Sequence, residues 1–102
     1  MINKWKILAI KHNGAKGERG KNVTDLKYDK LVDSIVTFDL KYVEVGRSFT
    51  FIFDSPHPRY DWWTVSVVER FDLNEDDGIL EVETMNSIYY FELIDVVRED
   101  EL

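Results

Sequence analysis

Ser48-Phe49-Thr50-Phe51-Ile52-Phe53 alternates a ring with a smaller side chain at every step. Period two is the signature of a strand with one face turned to a core, so Phe49, Phe51 and Phe53 are expected inside and Ser48, Thr50 and Ile52 outside. The same pattern recurs on both sides of this stretch. Upstream, Trp5, Ile7 and Ala9 alternate with Lys4, Lys6 and Leu8 until Asn13-Gly14, a pair suited to a tight turn. Lys30 to Leu40 is rich in β-branched and aromatic residues and is predicted to be a strand, with Thr24 able to cap a short helix near 24–31. Lys41 to Val45 continues in extended character up to Gly46. Downstream, Trp63, Val65 and Val67 alternate with Thr64, Ser66 and Val68, giving a strand to about Phe71 that Asp72 to Gly78 interrupts. Leu80 and Val82 alternate with Glu81 and Glu83, and Ser87 to Leu93 returns after Met85-Asn86, so the pair reads as a hairpin.

Five to seven short strands separated by turns predict an all-β, mainly antiparallel domain, a small barrel or sandwich of SH3-like or OB-like size. The chain of 102 residues is read as one β-rich domain, with a basic, glycine-rich loop over 11–22 and a solvated acidic tail over 98–102. A chain of this length buries enough surface to fold without disulfides or a structural metal. It contains no cysteine, which excludes thiol chemistry and thiolate metal sites. Its longest apolar runs are four or five residues against the roughly 20 of a membrane span, and the N-terminal segment is too short for a secretory core, so no membrane role and a cytoplasmic location are expected. Without a secretory route, the glycosylation pattern Asn22-Val23-Thr24 and the retention-like ending Glu99-Asp100-Glu101-Leu102 carry no meaning.

The net charge of −7 hides an uneven distribution. Residues 1–30 hold eight basic and three acidic side chains, a net of +5, whereas residues 31–102 sum to −12. Either the basic segment meets an anionic ligand, or folding brings the two segments together and they neutralise each other.

Gly14-Ala15-Lys16-Gly17-Glu18-Arg19-Gly20-Lys21-Asn22 has five residues rather than four between its outer glycines and lacks the Ser or Thr after Lys that a phosphate loop uses, so no nucleotide cofactor is expected. Lys16, Arg19 and Lys21 remain candidates for contact with nucleic-acid backbone or an acidic surface. Asp72, Asn74, Asp76 and Glu83 fall on positions one, three, five and twelve of a calcium loop, but Asp77 occupies the sixth position, where a sharp turn needs glycine. An acidic hairpin connection is the better reading, and no metal is assigned.

Pro56-His57-Pro58-Arg59-Tyr60-Asp61-Trp62-Trp63 is the most informative stretch for function. Neighbouring side chains of a strand face opposite ways, so Trp62 and Trp63 cannot both enter the core and one indole is expected at the surface; Tyr89 and Tyr90 are divided likewise. Arg59, Tyr60, Trp62 and Trp63 therefore form the candidate contact patch, because Arg and large rings dominate interface energetics. His12 and His57 have no catalytic partner at a recognisable spacing, and Gly46-Arg47-Ser48 lacks the second glycine of a nucleophile elbow. The sequence thus predicts a non-catalytic acidic binding protein with a protein partner, of the kind that phage or mobile-element inhibitors provide. The alternative is a nucleic-acid-binding module that uses the basic loop and the aromatic patch. Homo-oligomerisation is compatible with either.

Overall fold

The computed structural model describes residues 2–25, 28, 30–54 and 61–97, with the side chains of 2, 96 and 97 excepted. Among the described residues there are seven strands: β1 Ile2–His12, β2 Ile35–Phe38, β3 Thr50–Phe53, β4 Trp62–Thr64, β5 Val68–Asn74, β6 Ile79–Thr84 and β7 Ser87–Val97. All pairings are antiparallel, and the strands form one sheet in the order β4-β3-β2-β1-β7-β6-β5. The expected antiparallel β class is what the chain adopts.

The two outermost strands are consecutive in sequence, and this shapes the sheet. Following the antiparallel alternation from β1 outward in both directions, β4 and β5 run the same way and are joined only by 65–67. Laid flat, seven strands at about 4.8 Å spacing would separate the edges by roughly 29 Å. Four Cα steps from Thr64 to Val68 span at most about 14 Å. The sheet must therefore coil until one bent segment serves both edges, its first half pairing with β3 and its second with β6. The single strand expected from Trp63 to Phe71 is accordingly two, because the partner changes at 65–67. Val65 is buried there, and Met85 N–H donates to Val67 C=O at 3.1 Å. Gly46, at φ 89° in a left-handed turn, donates to Val68 C=O at 2.8 Å, while Val68 N–H donates to Arg47 C=O at 2.9 Å.

Four further expectations need correction, and a fifth lies partly outside the described residues. The strand predicted from Lys30 to Leu40 is confined to Ile35–Phe38. Leu31 reaches the core from a turn instead, its N–H bonded to Tyr28 C=O, and Asp33 adopts φ 72° to redirect the chain into β2. Of the short helix expected near 24–31, Tyr28 is helical and bonded to Asp25 C=O, while 26, 27 and 29 lie outside the described residues. Residues Leu40–Tyr42 form a 3₁₀ turn rather than extended chain, because the Asp39 carboxylate accepts the Lys41 N–H at 3.0 Å and caps it. The break placed at Asp72 begins only after Asn74. Finally, the alternation in β1 shifts at a bulge between Ile7 and Ala9, so Trp5, Ile7 and Ile10 are buried while Ala9 is only half-buried.

The core lies inside the coil. Phe49, Phe51 and Phe53 all face it, as the alternation predicts, and meet Trp5, Phe38, Tyr89 and Phe91. Trp5 stacks on Phe38 with centroids 5.3 Å apart, and Phe91 presents an edge to Phe38 at 5.2 Å and to Phe51 at 6.1 Å. The tail over 98–102 lies outside the described residues. Among the described residues no helix is long and apolar enough to cross a membrane.

Candidate interaction surface

The adjacent tryptophans divide as the strand geometry requires. Trp63 is half-buried against the core: its ring meets Tyr28 edge-on at 5.5 Å and its indole N–H donates to the Tyr89 hydroxyl at 3.3 Å. Trp62 points outward and is 62% exposed. Tyr89 is buried, and desolvation pushes its phenol above the ordinary tyrosine value. Tyr90 is half-buried and lies under the Lys11 ammonium at 5.2 Å.

Pairing registers build a surface around Trp62. Trp62 sits opposite Ile52, Ile52 opposite Thr37, and Thr37 opposite Lys4, which gives one transverse row on the outer face of four strands. Ile52 is itself 58% exposed. In the next row Thr50 and Thr64 share a hydroxyl–hydroxyl hydrogen bond of 2.7 Å. The 3₁₀ turn places Tyr42, 61% exposed, beside this sheet, where with Thr37, Thr50 and Ile52 it bounds a groove of about 290 Å³. A larger open cleft of about 690 Å³ continues past Tyr42 to Arg47 and Ser48. The sequence marked Trp62 directly and Ile52 by its outward parity. Tyr42 was missed, because only the turn that Asp39 caps brings it to this face.

Trp62 also belongs to an open edge. Phe53 N–H donates to Asp61 C=O at 3.3 Å, and Val65 N–H to Phe49 C=O at 3.0 Å. By the alternation of an antiparallel ladder, 61, 63 and 65 turn their backbone groups toward β3, and Trp62 and Thr64 turn theirs away from it. Arg59 and Tyr60, together with His57, lie outside the described residues.

The basic loop folds back on β1. His12 N–H donates to Lys21 C=O at 2.8 Å and Asn13 Nδ2 to Thr84 C=O at 2.7 Å. Arg19 reaches across to Glu83 in a bidentate pair at 2.8 and 3.0 Å. Lys16 borders a pocket of about 200 Å³ with His12, Asp25 and Tyr28, and Lys21 is exposed. Three cations of the first charge segment meet carboxylates of the second: Lys4 pairs with Asp54 at 3.3 Å, Lys6 with Asp33 at 3.8 Å, and Arg19 with Glu83. Arg70 extends the last pair, at 2.7 Å from Glu81 and 3.4 Å from Glu83.

This network has a pH signature. The Arg19 hydrogen bond, opposed by partial desolvation, holds the Glu83 carboxyl below its ordinary value. For Glu81, burial acts against ionisation, yet Arg70 and the Tyr90 hydroxyl hold the carboxyl low. A depressed carboxyl contributes stability that is complete above the unfolded value of about 4.3 and is lost as pH falls through the folded value. Wild-type stability should therefore decline more steeply below about pH 5 than that of Glu83→Gln. Urea unfolding followed across that range measures it, and equal slopes would remove the network from the acid response.

Side chains that fall on two of the calcium-loop positions are engaged in other contacts. Glu83 is committed to two arginines, and Asn74 Oδ1 accepts the N–H groups of Asp76 and Asp77, closing the hairpin turn. Among the described residues no cluster of His, Asp or Glu is arranged to hold a metal ion. The chain matches no protein-family model, no curated protein and no solved structure.

Proposed function

We propose that this chain is a non-catalytic protein-binding module whose contact surface is the outer face of β2, β3 and β4, with Trp62 at its centre. The observation that carries this reading is the pairing of an exposed indole with an exposed Ile52 across two hydrogen-bonded strands. Together with Tyr42 they form a cluster of large apolar side chains that the fold leaves in water. Threonine hydroxyls surround them and give the polar rim that a non-obligate interface needs. We read the coiled sheet as an incompletely closed barrel of SH3-like or OB-like size, which presents this face on a rigid support. The acidic body of the chain favours a basic region on the partner.

The nucleic-acid alternative draws on Lys16, Arg19, Lys21 and a stacking role for Trp62. It has less support, since Lys4, the cation in Trp62's own row, is paired with Asp54 and Arg19 is held by Glu83.

The test is affinity capture from nuclease-treated host lysate by the wild type and by Trp62→Ala. A partner retained by the wild type and lost from the variant is the expected result, with an affinity loss of about 30-fold or more for an anchor of this kind. Capture that is indifferent to Trp62, or binding to single-stranded DNA at low salt that Lys21→Ala weakens, overturns the proposal.

A further inference from the structure

We infer that the mouth of the coiled sheet beside His12 is a binding site for a small monocarboxylate. The site lies on the inner side of the sheet, away from the outer face that carries Trp62, and does not rest on the protein-binding role of that face. Ser87 and His12 stand directly opposite each other where β7 begins and β1 ends, so their side chains share a face. That face is the inner one, because Ser87, Tyr89 and Phe91 alternate along β7 and all three are buried. Beyond Ser87 and His12 a cavity of about 200 Å³ opens toward Val23, Asp25 and Tyr28. Its volume equals the share of roughly seven liquid waters, room for a molecule of about ten non-hydrogen atoms and too little for a peptide or a nucleotide.

The cavity is bordered by donors that have nothing to donate to. The Ser87 main chain is satisfied by Thr84, whose Oγ1 accepts the Ser87 N–H and donates to the Ser87 C=O, each at 3.2 Å. The Ser87 hydroxyl belongs to a residue only 4% exposed and has no hydrogen-bond partner among the described residues, and the same holds for the His12 imidazole and the Lys16 ammonium at the rim. Lys4, Lys6 and Arg19 of the same basic segment are all ion-paired. In the larger cleft beside Tyr42, Lys41 pairs with Asp39 at 3.6 Å and Arg47 with Glu44 at 3.4 Å. The mouth is thus where the fold sets an unpaired cation and two neutral donors around one space. A carboxylate would accept from all three, and charge-assisted hydrogen bonds of this kind are the strong ones.

Gly17 holds the imidazole where it is. A Cβ at this position would lie 2.7 Å from His12 Cγ and Nδ1 and 2.8 Å from Cδ2, so the glycine backbone is pressed against the ring. Unlike Gly14 and Gly20, Gly17 is not in the left-handed region, so close approach to His12 and not turn geometry is what calls for glycine there. Asp25 and Tyr28 set the class of ligand. The Asp25 carboxylate at the rim opposes a second negative charge and so favours a monoanion over a phosphate, while Val23 and the Tyr28 ring, both packed on the core, offer a wall for a compact apolar body.

Titration of the full chain with benzoate, followed by amide chemical shifts, tests the inference. Benzamide, of the same shape without the charge, and phenyl phosphate, largely a dianion at neutral pH, are the comparisons. Benzoate should saturate with a dissociation constant of about 1 mM or lower and shifts centred on His12, Asp25, Tyr28 and Ser87, and benzamide should bind at least about tenfold more weakly. Ser87→Ala and Gly17→Ala should each weaken benzoate about tenfold and Lys16→Ala about threefold or more, while Trp62→Ala and Lys21→Ala, the latter an exposed cation of the same loop outside the cavity lining, should leave it within about twofold. If Gly17→Ala disturbs the fold, Ser87→Ala and Lys16→Ala decide the matter. No saturation by benzoate, equal affinity for benzamide, tighter binding of phenyl phosphate, or indifference to both Ser87→Ala and Lys16→Ala overturns the site. Protein capture through Trp62 is read separately, so either proposal can fail without the other.

Discussion

Phe91→Ala should cost about 3–5 kcal/mol of folding stability, the largest loss expected from any single truncation in this domain. Phe91 is fully buried at the middle of β7, and its ring touches the rings of Trp5, Phe38, Phe51 and Tyr89, which arrive from three other strands and from its own. Its removal opens a cavity whose walls are themselves rigid rings, so little of the space can be refilled by rotamer changes. A domain of this size has a total stability of roughly 5–15 kcal/mol, so the variant should unfold far earlier in urea and expose apolar surface at physiological temperature. Equilibrium urea unfolding checks this. A loss below about 1.5 kcal/mol would mean that the ring cluster is loosely packed and the core lies elsewhere.

Trp63→Ala and Trp62→Ala should differ sharply although the residues are neighbours. Trp63 packs against the core, meets the Tyr28 ring and bonds the buried Tyr89 hydroxyl, so its loss should cost about 2–4 kcal/mol and leave that hydroxyl without its indole donor. Trp62 is mostly in water, and its truncation should change monomer stability by less than about 0.5 kcal/mol while removing the binding described above. The comparison separates folding from function within one dipeptide. A Trp62→Ala variant as destabilised as Trp63→Ala would show that Trp62 serves the fold and would remove the main support for the proposed surface.

Several features of the site were open to reading from local pattern alone. Strand parity requires that Trp62 and Trp63 part company, and it sends Ile52 to the side opposite Phe51 and Phe53. Parity does not say which tryptophan goes in, since both are equally apolar. That was decided by β4 pairing with β3 in a register that sets Trp63 against Phe51 and Trp62 against Ile52. Arg19 shows the opposite limit. In sequence it belongs to an unpaired basic loop, and only the return of the loop along β1 brings its guanidinium to Glu83, 64 residues away. The cation that composition offered to phosphate is thereby occupied.

By itself the sequence determined the class of structure and the faces of its strands, because a period of two in ring and β-branched side chains is a local steric and solvation property. It also showed that the charge is divided between a basic and an acidic segment. Tertiary structure alone decided where the long run through Val65 and Val67 changes partner, which indole remains in water and how Tyr42 joins it. The reason is the same in each case. Strand partners, edge exposure and cross-chain ion pairs depend on segments far apart in the chain, and a local alternation contains no information about what lies on its other side.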